Sequence, residues 1–307
     1  MIKIPFINET LTAKYLKDHF ISYKTTLENM KVHVKYQKVV DYLSTGPTLD
    51  DKKIKKILIG DFDELKSAVS VIGEVDEREG EGFHRLYYNF TQRKRGKEWA
   101  DLIGVRVCPY CNRSYIFTLK KSGVRPQYDH YFPKSLYPYL AVSMYNLIPC
   151  CAVCNTAKSS FNTYDKITGK EIFMYPYKDE YGNEVSFQTS YEGDFRCWLG
   201  ASDKFSLAVK PVTAASEDLK RKLNNTSKEL HLRELYEKHK DYVKDIISRT
   251  YIYNDDYIQS LLVEYPVLFR STGEVKNFVY MNYLEKENWG NRILAKLTFD
   301  IMREFTD

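Results

Sequence analysis

A chain of 307 residues with 43% apolar and 15% aromatic side chains has the composition of a folded globular protein, which excludes a disordered or fibrous one. No stretch approaches the roughly eighteen uninterrupted apolar residues of a membrane span, and the start MIKIPFINET lacks a basic segment followed by an apolar run. The expectation is a cytoplasmic protein with no membrane span. Six cysteines are too few for a disulfide scaffold, and a net charge of +5 is on its own a weak sign of nucleic-acid binding.

In chain order, residues 9 to 72 read as helices. LTAKYLKDHF, YQKVVDYL, DKKIKKIL and DELKSAVSVI each repeat apolar residues at steps of three and four. Gly46-Pro47, followed by Thr48 and Asp50, reads as a break and a cap before the third. EVDEREGEG at 74 to 82 reads as a loop, and a helix is expected over about 84 to 103. From Val107 to about Lys158 the pattern is short: a cysteine knuckle, a strand at SYIFTL, a turn at KKSGVRP, a strand entering YDHYF, a loop, then a helix from near Cys151. EVSFQTSY and FSLAVKPV, between turn residues, suggest a small sheet. Ser216 before Glu217 and Asp218 begins a helix. Leu232, Leu235, Tyr236, Tyr242, Val243, Ile246 and Ile247 form one apolar stripe on a long helix, with more helices at 255 to 269 and 290 to 305. The fold class expected is α+β and mainly helical, with an embedded small zinc finger. Residues 1 to 104 would form a helical region, 105 to 165 the finger, and 166 to 307 a small sheet with a helical region.

The finger carries the chemistry. Cys108-x-x-Cys111 and Cys151-x-x-Cys154 each turn two sulfurs to one side, and together they can close a tetrahedron with no open position. One structural zinc is therefore expected. A lone Cys-x-x-Cys reads equally as a redox dithiol, and the repeated spacing favours zinc. Cys150, beside Cys151, is an alternative fourth ligand, but the spacing Cys151-x-x-Cys154 repeats the first knuckle and favours Cys151, which leaves Cys150 and Cys197 as ordinary buried thiols. Between the knuckles stands Asp129-His130, a carboxylate able to hold a hard cation beside an imidazole able to accept a proton at neutral pH. Adjacent strand residues point to opposite faces, so the two would not share one spot unless the strand bends there. Between positions 101 and 160 seven basic residues (Arg106, Arg113, Lys120, Lys121, Arg125, Lys134, Lys158) face two acidic ones (Asp101, Asp129), and QRKRGK lies just upstream at 92 to 97. Arg113, Lys134 and Lys158 are candidate phosphate contacts. Tyr128, Tyr131, Tyr137, Tyr139 and Tyr145 could stack on bases, though such rings more often pack a small finger against its support.

The series Cys108-x-x-Cys111, Asp129-His130-x-x-Pro133-x-Ser135, Asn146-Leu147, Cys151-x-x-Cys154-Asn155-x-x-Lys158 resembles the HNH endonuclease family, whose site is a ββα-metal finger related to the treble clef. The resemblance covers about one sixth of the chain. It implies His130 as the general base that activates water, Asp129 and Asn155 as ligands of one catalytic metal, Asn146 as the residue that ties the loop, and Lys158 as a phosphate-facing cation. Asparagine at 155, where many members have histidine, suits Mg2+ or Mn2+. It further implies hydrolysis of DNA to 5′-phosphate and 3′-hydroxyl ends. CPYCNRSYI, DHYFPKSLYPYLAVSMYNLIP and LAKLTFDI resemble the HNH proteins of anti-phage defence systems of Septu and retron type, which work with an ABC- or SMC-like ATPase partner. An RNA or tRNA nuclease of the same fold and a zinc-dependent nucleic-acid-binding protein that no longer cuts remain alternatives. A single finger carries one active site, so double-strand cleavage would require two protomers, which leaves a homo-oligomer open.

Overall fold

The computed structural model describes residues 1–307 except Phe6, Arg93, Lys120, Glu192 and Asp307, so Lys120 and one arginine of QRKRGK lie outside the described residues. The chain is α+β and mainly helical, with thirteen α-helices and four two-stranded sheets among the described residues. No helix among them is long and apolar enough to cross a membrane. It divides into two compact units. One comprises Ile4–Val105 and Ile116–Lys178; the other comprises Met1–Lys3, Arg106–Tyr115 and Asp179–Asp307. The division falls elsewhere than at residues 104 and 165, because the first cysteine knuckle is held by the C-terminal segment.

In the first unit, Asn8 caps helix α1 (Glu9–Met30) by accepting the Leu11 N–H at 2.9 Å. Tyr15, His19, Tyr23 and Leu27 recur every four residues and are all buried, which lays one stripe of the helix against the core. Helix α2 (Gln37–Tyr42) leads to a two-residue hairpin, β1 (Ser44–Thr45) and β2 (Thr48–Leu49), turned at Gly46 with φ 63°. Asp50 then caps α3 (Asp51–Ile59), and an Asp61–Glu64 capping box opens α4 (Phe62–Ile72). These follow the sequence reading closely. The helix expected over 84 to 103 is instead two, α5 (Gly82–Gln92) and α6 (Arg95–Ile103), separated at Lys94, whose φ of 57° no helix can contain.

His19 illustrates how this unit binds protons. It is buried against Tyr15 and Phe90, ring centroids 4.3 and 5.5 Å away, and burial, reinforced by Arg95, lowers its pKa to about 4. The depressed value means that the unfolded chain takes up the proton first as pH falls below about 6.5. Stability is therefore expected to fall by about 2 kcal/mol from pH 7 to pH 5 through this residue, and to go on falling until it levels off below about pH 4. Urea denaturation at both pH values should show the difference shrinking by that amount in His19→Gln, and an unchanged difference would refute the assignment.

Strand β3 (Gln127–His130) pairs antiparallel with β4 (Leu147–Cys150), Asp129 opposite Ile148 and His130 opposite Leu147, and helix α7 (Ala152–Lys158) follows at once. This is a ββα unit, but its second strand is the LIPC segment. SYIFTL, expected as a strand, contributes only a single bridge from Tyr115 to Val107. Short strands β5 (Tyr164–Asp165) and β6 (Lys170–Glu171) close the unit. So small a motif has no core of its own, and tyrosines fasten it to the helices. Tyr15 and Tyr23 of α1 donate to the carbonyls of Val142 and Tyr139, Tyr128 donates to Gly96, and Tyr139 to Gly73. Tyr128, Tyr131, Tyr137 and Tyr139 are thus packing residues with their hydroxyls satisfied, and Tyr145 packs on Tyr177.

In the second unit β7 (Val185–Tyr191) and β8 (Phe205–Pro211) form the predicted hairpin. Six helices follow: α8 (Glu217–Glu229), capped by Ser216, α9 (Leu232–Glu237), α10 (Lys240–Ile252), α11 (Asp255–Glu264), α12 (Thr272–Val279) and α13 (Ala295–Thr306). The stripe from Leu232 to Ile247 does not lie on one long helix: a turn at Lys238-His239 breaks it into α9 and α10, which share its buried residues. On α13, Asp300 accepts the Phe187 N–H at 2.9 Å and Glu304 the Thr189 N–H at 3.0 Å. A four-residue helical step of ~6.0 Å nearly matches a two-residue strand step of ~6.7 Å, so the two carboxylates cover the open edge of β7.

Candidate metal centre

Cys108 and Cys111 sit on a tight turn in which the Asn112 N–H donates to the Cys108 carbonyl at 2.8 Å and Asn112 adopts φ 50°. Asparagine tolerates this left-handed conformation better than most residues. The Asn112 side chain donates to the carbonyls of Trp289 and Arg292 and accepts the Lys296 N–H, which anchors the knuckle to the C-terminal segment. Cys151 is the N-cap of α7, and its sulfur accepts the Cys154 N–H at 3.4 Å, as the Cys111 sulfur accepts that of Arg113 at 3.5 Å. Such N–H···S bonds orient thiolates toward a metal. All four cysteines are buried, and their sulfurs lie within 4.8 Å of one another. A tetrahedron with Zn–S bonds of about 2.3 Å has edges of about 3.8 Å, so the four fit a zinc ion. No other group of three or more histidine, cysteine or carboxylate ligands occurs among the described residues. Cys150 and Cys197 are buried and outside the cluster, and burial raises the Cys150 thiol well above its ordinary pKa.

The ββα unit brings the other predicted residues together through two matched faces. Strand neighbours Gln127 and Asp129 lie on one side of β3, and Asn155 and Lys158 are one turn apart on α7. The Asn155 amide donates to Gln127 Oε1 at 2.9 Å, and Lys158 Nζ to Asp129 Oδ1 at 3.0 Å. Lys158 also donates to the His130 carbonyl at 2.7 Å and is almost wholly buried. The structure thus seats the Lys158 ammonium on the Asp129 carboxylate rather than at the surface where a phosphate would meet it. A buried carboxylate without a cation is costly, and this pairing compensates its charge.

His130 faces the other way. Its Nε2 is 2.9 Å from the Ala141 carbonyl and its ring meets the Tyr87 ring at 4.5 Å. A carbonyl only accepts, so Nε2 carries the proton and Nδ1 keeps the lone pair. Burial, partly offset by the Ala141 bond, lowers the His130 pKa to about 3, which leaves the imidazole neutral at pH 7. Lys134 lies 6.0 Å over the Tyr87 ring, the ring that packs on this histidine. Arg113 is held in the other unit by His239, at 3.0 Å, and Tyr236.

Asn146 ties the loop. Its Oδ1 accepts the Phe132 N–H at 2.7 Å, and its amide donates to the Phe132 and Leu140 carbonyls at 3.1 and 3.0 Å. Asn146→Ala would strand the buried Phe132 N–H and carbonyl at once, while the Leu140 carbonyl keeps the Ser143 N–H at 3.1 Å. Each costs about 1 to 3 kcal/mol, so a stability loss of at least about 2 kcal/mol is expected in guanidinium unfolding, and a loss below about 1 kcal/mol would show the bonds to be dispensable.

Sequence reasoning missed Gln127, Tyr87 and Asn112. Gln127 was legible, since it stands two residues before Asp129 and shares its strand face; the other two depend on contacts distant in the chain. No protein-family model, curated protein or solved structure matches the chain. The fold and site therefore define an α+β, mainly helical protein with a buried four-cysteine cluster able to hold zinc.

Proposed function

We propose that the protein is a metal-dependent endonuclease of HNH type that hydrolyses DNA phosphodiester bonds. The observation that carries this reading is the matched pairing of Gln127 and Asp129 on β3 with Asn155 and Lys158 on α7, with His130 kept neutral by burial and its ring oriented by the Ala141 carbonyl. Asp129 and Asn155 are the residues that would hold one Mg2+ or Mn2+ ion, oxygen donors that suit a hard cation. When bound, that ion would polarise the phosphate and stabilise charge on the leaving oxygen. His130 Nδ1 accepts the proton of the attacking water, and Asn146 keeps the loop in place so that the Ala141 carbonyl continues to orient the imidazole. Lys158, now on Asp129, would give up that carboxylate to the metal and keep its bond to the His130 carbonyl. The decisive experiment incubates the protein with supercoiled plasmid and Mg2+ or Mn2+. Conversion to open-circle or linear DNA that EDTA stops supports the reading; intact plasmid under every metal condition counts against it.

We further propose, from the resemblance to defence-system proteins, an anti-phage role with an ABC- or SMC-like ATPase partner. Val263, Val267, Leu268 and Phe278, on and between α11 and α12, are 68, 94, 69 and 66% exposed and offer an apolar surface of the kind a partner covers. Copurification with a co-expressed ATPase tests it.

A further inference from the structure

The basic run at 92 to 97 has no part in the centre described above, yet the fold gives it a shape. Lys94 and Lys97, at the junction of α5 and α6, and Lys121 and Arg125, in the turn before β3, line one groove of about 540 Å³. Glu98 and Asp101 are its two carboxylates, and Glu98 already lies 3.6 Å from Lys14 Nζ outside the groove lining. The groove is cationic on balance, although the whole chain carries only +5.

Its Arg125 end is linked to the candidate nuclease centre through two tyrosines. The Arg125 guanidinium sits 5.5 Å over the Tyr128 ring and donates to the Pro126 carbonyl. The Tyr87 hydroxyl reaches the Tyr128 carbonyl at 3.4 Å, and the Tyr87 ring is the one that meets His130. From Arg125 to His130 the chain spans at most about 17 Å. That is the axial rise of about five base pairs, so a strand lying along the groove stays within reach of the imidazole.

We infer that this groove binds the phosphate backbone of the DNA whose scission is proposed for the His130 centre, and so sets the path by which the strand enters. The inference rests on that functional reading and adds the substrate track to it. It also explains how DNA is held although Lys158 is buried and Arg113 is engaged by His239: phosphate neutralisation falls to Lys94, Lys97, Lys121 and Arg125. Contacts of this type carry affinity but no sequence information.

The test measures binding apart from cutting. In the His130→Ala background, a fluorescent DNA duplex is titrated across a salt series, with single-stranded DNA and RNA of the same sequence as further arms. Lys94→Glu/Lys97→Glu/Lys121→Glu is expected to weaken duplex binding about a hundredfold and to lower the log–log salt slope by about three. Lys17→Glu/Lys38→Glu/Lys52→Glu makes the same charge change at exposed positions elsewhere in the unit and is expected to bind nearly as the parent does. Equal thermal melting of both triple variants separates lost binding from lost folding. Should the groove variant misfold, Arg125→Gln in the same background is read for a smaller slope.

Equal loss in the two triple variants, or loss in neither, overturns the groove, as does selective binding of RNA or failure of the parent to bind DNA. Plasmid cleavage by the otherwise unaltered protein is scored separately. If the parent cuts and the groove variant cuts equally well, the groove fails while the nuclease reading stands. If the parent binds through the groove and never cuts, the nuclease reading fails while the groove stands.

Discussion

Cys154→Ser is expected to release zinc and to lower the melting temperature by at least about 10 °C. Cys154 is fully buried within 4.8 Å of the other three sulfurs and receives no water in exchange for a lost metal bond. Four thiols packed this closely gain little from one another, whereas a structural zinc in a four-thiolate site contributes on the order of 10 kcal/mol of apparent free energy to the folded state. The serine hydroxyl is a poor ligand, and three remaining thiolates would sit buried without full neutralisation. Each knuckle is also tied to its surroundings, the second as the cap of α7 and the first through Asn112 and the C-terminal segment, so the loss should spread beyond the finger. Metal analysis of the purified protein should give one zinc per chain, absent from the variant. A zinc-free protein that melts with the variant would remove the structural zinc from this account.

His130→Ala and His130→Gln are both expected to lose plasmid cleavage by about a hundredfold to ten-thousandfold, the usual worth of a general base. The two substitutions divide the roles of the ring. Alanine also removes the donor to the Ala141 carbonyl and the packing on Tyr87, so it costs stability of about 1 to 3 kcal/mol. Glutamine can keep a donor toward that carbonyl while offering no basic nitrogen where Nδ1 stands. If activity follows the base, both variants fail alike; if His130 merely supports the loop, glutamine should restore most of the cleavage. Recovery by glutamine would transfer the base to another residue and is the outcome that sinks the assigned role.

The most local features were readable in the chain before any fold was known. Four-residue spacing of Tyr15, His19, Tyr23 and Leu27 gives a helix with one buried stripe, and Asp50, Asp61 and Ser216 cap the helices that follow them, because capping is decided within three residues. The repeated Cys-x-x-Cys turns likewise carried the four-cysteine cluster able to hold zinc, since turn geometry sets which way each pair of sulfurs points. The stripe from Leu232 to Ile247 misled for an instructive reason. Periodicity records which residues are buried and is indifferent to a turn that preserves phase, so α9 and α10 read as one helix.

What the tertiary structure alone decided lies in pairings between distant residues. SYIFTL and LIPC are both short apolar runs able to form strands, and only the packing of the tyrosine-anchored loop chose LIPC as the partner of β3. A lysine three residues after Asn155 looks like a surface cation in sequence, but helical rotation turns it inward onto Asp129, where the cost of burying either charge alone holds the pair together. The groove of Lys94, Lys97, Lys121 and Arg125 joins two segments more than twenty residues apart, so the sequence supplied the charges and the fold supplied their meeting place. Local interactions are specified by neighbours along the chain, whereas charge burial and strand choice depend on which surfaces remain to be covered once the helices have packed.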